Sequence, residues 1–209
     1  MPGNETPLRV VLFDFGGVIA EEGFRDGLHA IARANGHDPA SLHRAGIDAI
    51  YACGYVTGQG SEAEFWRILR QGFSLRDDDA TLSNIILEHF IVRPEMIALV
   101  RALRRRGLAC AILSDQTDWL ERLDRRDGFE REFDRVYCSY RLGKSKRDAS
   151  LFDDAIADLG VRPGEAVFLD DDPGNVERAC SRGLHGIRCS TTAGCRGELL
   201  QLLGFGPLE

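Results

Sequence analysis

The chain has no Cys-x-x-Cys pair and no regular cysteine spacing; Cys53, Cys110, Cys138, Cys180, Cys189 and Cys195 stand apart. Its five histidines are scattered too, so a zinc site has little to build on. No apolar run approaches the roughly 18 residues needed to cross a bilayer, and no signal peptide is expected before the first apolar segment. Positive charge is short: 26 Lys and Arg face 33 Asp and Glu, a net charge of −7. That balance argues against non-specific binding to nucleic acid or an anionic membrane. Arg104-Arg105-Arg106 and Arg125-Arg126 read as solvated helix faces. There is no internal repeat and no low-complexity segment. These absences point to a reduced, cytoplasmic protein, with Cys110 and Cys138 as small buried thiols inside apolar runs. Oligomeric state is not legible.

What is present suffices for one well-buried α/β domain with a modest insert: 209 residues, 44% of them hydrophobic. Met1 to Pro7 is polar and expected to fray. Residues 8–13 form the first strand candidate. From Glu21 to Arg93 the pattern is helical: Leu28, Ile31 and Ala32 share one face, Phe65, Leu69 and Phe73 another. Ser61 with Glu64 resembles a capping box, and Thr81 is expected to open a further helix. The chain then alternates. Helices over 94–106, 119–126, 150–159, 175–182 and 197–203 are interleaved with strands over 108–113, 136–138, 166–169 and 186–189. Such alternation predicts a doubly wound, Rossmann-like parallel sheet covered on both faces. The helical stretch 21–93 is too long for a loop and is expected to form a small cap, with 1–20 and 94–209 as the core.

In such a sheet, ligands bind beyond the carboxyl ends of the strands. Asp14-Phe15-Gly16-Gly17 follows the first strand, Ser114-Asp115 the second, and Asp170-Asp171-Asp172 the fourth. The third leads to Gly143-Lys144-Ser145-Lys146. A carboxylate beside amides freed by glycine suits attack on a phosphoryl group, and the hydroxyl, lysine and acidic cluster complete a Mg²⁺-assisted phosphoryl-transfer inventory. Asp172 reads as a helix-start residue.

These motifs identify a resemblance to the haloacid dehalogenase superfamily, within it the small phosphatases with a helical cap. Phe13-Asp14-Phe15-Gly16-Gly17-Val18 is similar to the first motif, Leu113-Ser114 to the second, Lys146 to the third, and Phe168-Leu169-Asp170-Asp171 with Asn175 to the fourth. The resemblance implies that Asp14 attacks phosphorus and forms an aspartyl-phosphate. It implies that Ser114 and Lys146, with Asp115 and the backbone of Phe15, Gly16 and Gly17, hold the phosphoryl group. Mg²⁺ would be bound by Asp14, the Gly16 carbonyl and the Asp170-Asp171 pair, with Asp171 the preferred direct ligand. The substrate implied is a small phosphorylated metabolite, such as a sugar phosphate.

Two positions depart from the pattern. Most phosphatases of the superfamily carry a second aspartate two residues after the nucleophile, as general acid and base; here that position is Gly16. Losing such a group costs about 10²–10⁴ in rate, which predicts a slow enzyme favouring good leaving groups. Arg147-Asp148-Ala149 replaces the usual Pro-Asp-Pro, which is expected to loosen the lysine loop. The alternatives are a non-catalytic module binding a phosphorylated ligand or partner, and a metal-free dehalogenase-type hydrolase. The acidic cluster 170–172 argues against the last.

Overall fold

A computed structural model describes residues 7–206; the tail expected to fray lies, except for Pro7, outside them. Four-residue β1 (Val10–Phe13) is apolar throughout and buried on both faces. Val10 and Leu12 pack into one apolar cluster, and Val11 and Phe13 into the other, as the two-residue period of a strand dictates. β2 (Ala109–Ser114), β3 (Arg135–Cys138), β4 (Ala166–Asp170) and β5 (His185–Arg188) complete a five-stranded sheet. All pairings are parallel, in the order β3-β2-β1-β4-β5. The chain order reverses at β1, the central strand, so its carboxyl end lies at the topological switch point.

Between β1 and β2 run α1 (Gly23–Asn35), α2 (Pro39–Ala52), α3 (Glu62–Gly72), α4 (Asp79–His89) and α5 (Pro94–Arg105). Leu28, Ile31, Phe65, Leu69 and Ile86 join the same apolar cluster as Val11 and Phe13. Helices α1, α3 and α4 therefore share one continuous apolar cluster with the central strand. Ser61 caps α3 by accepting from the Glu64 amide at 3.2 Å. Helix α4, by contrast, starts earlier than expected: Asp78 is its cap and accepts from the Thr81 amide at 2.8 Å. A side chain that can receive the orphan amides sets the helix start more strongly than the apolar period does.

After β2 come α6 (Trp119–Asp127) and β3, then the short α7 (Ser139–Leu142), which the sequence reading missed. Helix α8 (Ser150–Leu159) leads to β4, α9 (Pro173–Ser181) to β5, and α10 (Thr192–Leu202) follows. α9 and α10 both begin before the expected points, because Asp172 and Thr191 provide N-caps. The expectation of reduced cysteines fails at one pair: Cys189 and Cys195 form a disulfide. The turn from β5 into α10 brings their Cα atoms to 4.9 Å, within bridging range. Cys110 and Cys138 are free and buried, as expected. Among the described residues, no helix is long and apolar enough to cross a membrane.

Candidate active site

Asp14 stands one residue beyond β1, and its amide continues the ladder by donating to the Leu169 carbonyl at 2.8 Å. Its Oδ1 accepts from Ser114 Oγ at 2.6 Å and from the Phe15 amide at 2.7 Å. Its Oδ2 faces Lys146 Nζ at 3.0 Å. Lys146 is only 1% exposed, yet it also donates to Asp170 Oδ2 at 2.6 Å. One buried cation thus lies between two buried carboxylates, in the paired arrangement that makes an internal charge tolerable. Burial alone would strip the lysine of its proton. The charges of Asp14, Asp170 and Asp115 outweigh that cost and hold its pKa above the ordinary value.

The carboxylates feel the opposite balance. Burial pushes the Asp14 pKa up, opposed by the Lys146 charge and the Ser114 hydrogen bond. Burial and the nearby Asp14 charge push Asp170 up as well. Asp170 is held firmly: Asn175 Nδ2 donates to Oδ2 at 2.9 Å and the Asp172 amide to Oδ1 at 2.8 Å. Asp171 is only partly buried, and its pKa is raised by desolvation and by Asp170. One ligand atom each from Asp14, Asp170 and Asp171 lies within 4.8 Å of the others. Three hard oxygen donors with too little positive charge between them suit a small divalent cation such as Mg²⁺.

Gly17 leaves room for this group. Its φ is +76°, and a Cβ there would lie 2.5 Å from the Asp171 carboxyl carbon. Both the left-handed backbone and the close approach require glycine. Phe15 contributes its amide only; its ring is fully buried, 4.6 Å from that of Phe129.

Asp115 is placed differently from the rest. Its Oδ1 accepts from the Lys146 amide at 2.8 Å, and its Oδ2 from the Tyr51 hydroxyl of α2 at 2.7 Å. The carboxylate therefore ties the lysine loop to the helical block. The loop expected to be loose is fastened there, and again where the Arg147 guanidinium stacks 3.4 Å over the Tyr51 ring. Lys144 lies outside the site, paired with Asp154 at 2.5 Å. Asp172 accepts from the Gly174 and Asn175 amides, the helix-start role expected of it.

A cavity of about 320 Å³ opens between the strand ends and helices α1 and α2. Asp115, Gln116 and Asp171 wall it on the sheet side, and Glu22, His43 and Tyr51 on the helical side. The sequence did not single out Glu22, because an isolated glutamate eight residues beyond the nucleophile carries no motif.

The fold and this carboxylate–lysine cluster define a Rossmann-like hydrolase core. A family model for haloacid dehalogenase-like hydrolases matches residues 8–179, and the chain belongs to that family. It is 34% identical over 70 residues to D-ribitol-5-phosphate phosphatase of Bacteroides thetaiotaomicron, which is 34% of each protein. The chain spans between 11% and 34% of the length of the curated relatives it matches. A haloacid dehalogenase family enzyme of Bacteroides thetaiotaomicron, solved with magnesium and inorganic phosphate, superposes with TM-score 0.67 at 19% identity, over 87% of this chain and 93% of the other. A dehalogenase superposes with TM-score 0.73 at 18% identity, over 96% and 99%. Both likenesses establish the fold.

Proposed function

We propose that the chain hydrolyses a small phosphate monoester, possession of a sugar-like leaving group being compatible with the cavity, through a phosphoryl intermediate on Asp14. The observation that carries this reading is Asp14 held between the Ser114 hydroxyl and the buried Lys146 ammonium. An Asp14 carboxylate oxygen attacks phosphorus while the bond to the leaving oxygen breaks. Water then attacks the same phosphorus, the bond from phosphorus to the Asp14 oxygen breaks, and inorganic phosphate leaves. Lys146 and Ser114 hold charge and position throughout, and the backbone of Phe15, Gly16 and Gly17 would complete the cradle of the transferring group. Asp14, Asp170 and Asp171 would hold Mg²⁺, which when bound offsets the charge of the phosphoryl oxygens.

The relatives named as phosphatases support the same chemistry. Against metal-free dehalogenation stand the three clustered carboxylates, which one lysine leaves under-compensated. The helical block 21–93 acts as a cap that contributes the far wall of the cavity, in keeping with a small substrate in the cytoplasm. The test is phosphate release from a panel of sugar phosphates and p-nitrophenyl phosphate, with and without Mg²⁺. Mg²⁺-dependent release by the wild type, lost in Asp14→Asn, supports the reading; no release from any substrate refutes it.

A further inference from the structure

Hydrolysis through phospho-Asp14 needs a group that gives a proton to the departing oxygen and later takes one from water. The side chains around Asp14 leave few candidates. Lys146 keeps its proton between two carboxylates, Asp115 has both oxygens engaged, and Asp170 is bonded by Lys146, Asn175 and the Asp172 amide. Gly16, two residues after the nucleophile, has no side chain to offer.

The space above Gly16 is nonetheless approached by a carboxyl group. A Cβ built on Gly16 would lie 3.5 Å from Glu22 Oε1 and 3.9 Å from Gln116 Nε2. Glu22 divides its two oxygens. Oε2 caps α1 by accepting from the Arg25 amide at 2.8 Å. Oε1 has no hydrogen-bond donor among the described residues, and the side chain lines the cavity shared with Asp171. The loop carrying it is anchored: the Glu21 amide donates to the Ile91 carbonyl at 2.9 Å, and Arg93 grips the Glu21 carboxylate at 2.7 Å. The Oε1 atom is therefore presented from a fixed frame.

We propose that Glu22, reaching over Gly16 from the start of α1, is the proton-transfer residue of this hydrolase. The proposal rests on the phosphatase reading above. In the first half-reaction the Glu22 proton passes to the leaving oxygen as its bond to phosphorus breaks and the bond from Asp14 forms. In the second, the Glu22 carboxylate takes a proton from the attacking water as the phosphorus–Asp14 bond breaks, which restores both residues. Burial pushes the Glu22 carboxyl up to about 7, where one group both gives and accepts a proton near neutrality. The charged groups acting on it are Arg25 and Asp26 of α1 and Asp171 across the cavity.

With Glu22 in this role, the bias toward good leaving groups expected from Gly16 is absent in the wild type and appears when Glu22 is changed. The experiment compares an alkyl phosphate with p-nitrophenyl phosphate, whose leaving group needs little protonation, in wild type, Glu22→Gln and Glu22→Ser. Both variants keep a capping acceptor for α1. The expected result is read in kcat/KM, which reports transfer to Asp14: a loss of about 10²–10⁴ on the alkyl ester and under about 10-fold on the aryl ester, while kcat falls on both because the phosphorylated Asp14 has lost its base. Equal losses in kcat/KM on both esters, or none, overturn the proposal while leaving the phosphatase reading intact. A selective loss in His43→Asn, and not at Glu22, assigns the role to the histidine of the cavity and also overturns it. A wild type inactive on every ester overturns the phosphatase reading and this proposal together.

Discussion

The two walls of the cleft are built by different means. On the sheet side, each polar residue is the last of a buried parallel strand or one or two residues beyond it, so the strand register places it. Asp14, Ser114 and Asp170 come from β1, β2 and β4, whose pairing is continuous, and Lys146 enters between them as a buried counter-ion. On the helical side, Glu22, His43 and Tyr51 come from two helices whose apolar faces are fixed by packing, while their polar residues are placed one at a time. The contrast is between a wall set by topology and a wall set by individual side-chain contacts. The first tolerates little change, and the second is where one substrate can be exchanged for another.

The largest effect should come from the centre of the sheet wall. Asp14→Asn keeps shape and a Ser114 contact but removes the attacking oxygen anion, and phosphate release should fall by about 10⁴-fold or more. A fall of less than tenfold would mean that this wall does not hold the nucleophile. Next, Lys146→Met leaves Asp14 and Asp170 facing each other without their cation. Urea denaturation should show a loss of about 3–5 kcal/mol, the cost of breaking a buried ion pair. Mg²⁺ should act in the opposite sense. At a hundredfold excess over its Kd it should add about 2.7 kcal/mol of stability, read as a raised Tm, and Asp171→Asn should remove most of that rise.

Smaller effects should mark the link between the walls. Tyr51→Phe loses the hydroxyl bond to Asp115 and should cost about 1 kcal/mol, whereas the same change in an Asp115→Asn background should cost less, because the two residues share one contact. A further prediction concerns pH. Burial raises the Glu22 carboxyl from its ordinary value of 4.5 to about 7, so its contribution to stability is full below about pH 4.5 and is lost as pH rises through 7. Glu22→Gln should flatten the stability curve across that window; an unchanged curve would place the carboxyl in water rather than in the cavity wall.

The same contrast explains what could be read before the structure. Val10 to Phe13 followed by Asp14-Phe15-Gly16-Gly17 reveals a strand end, and the alternation after Pro94 reveals the rest of the sheet, since buried parallel strands are short continuous apolar runs. Lys146, rather than the neighbouring Lys144, was legible as the residue similar to the third motif. Helix starts were less legible, because Asp78, Asp172 and Thr191 begin α4, α9 and α10 through one or two side-chain hydrogen bonds that precede the apolar pattern. Asp115 could be seen beside Ser114, but its bond to Tyr51 spans 64 residues and has no local trace. Glu22 was hidden for the same reason: what singles it out is the approach of its carboxyl to Gly16, which exists only once β1 and α1 are packed together. The Cys189–Cys195 bridge likewise follows from the turn between β5 and α10 rather than from any spacing motif.

The central claim, covalent transfer of phosphoryl to Asp14, is tested most directly by acid-quenching a single turnover of labelled substrate and locating the label by peptide mass spectrometry. The account predicts phosphate on the peptide containing Asp14 in the wild type and no labelled peptide in Asp14→Asn. Phosphate released from substrate with no label ever carried by Asp14, or label on another residue, would contradict it.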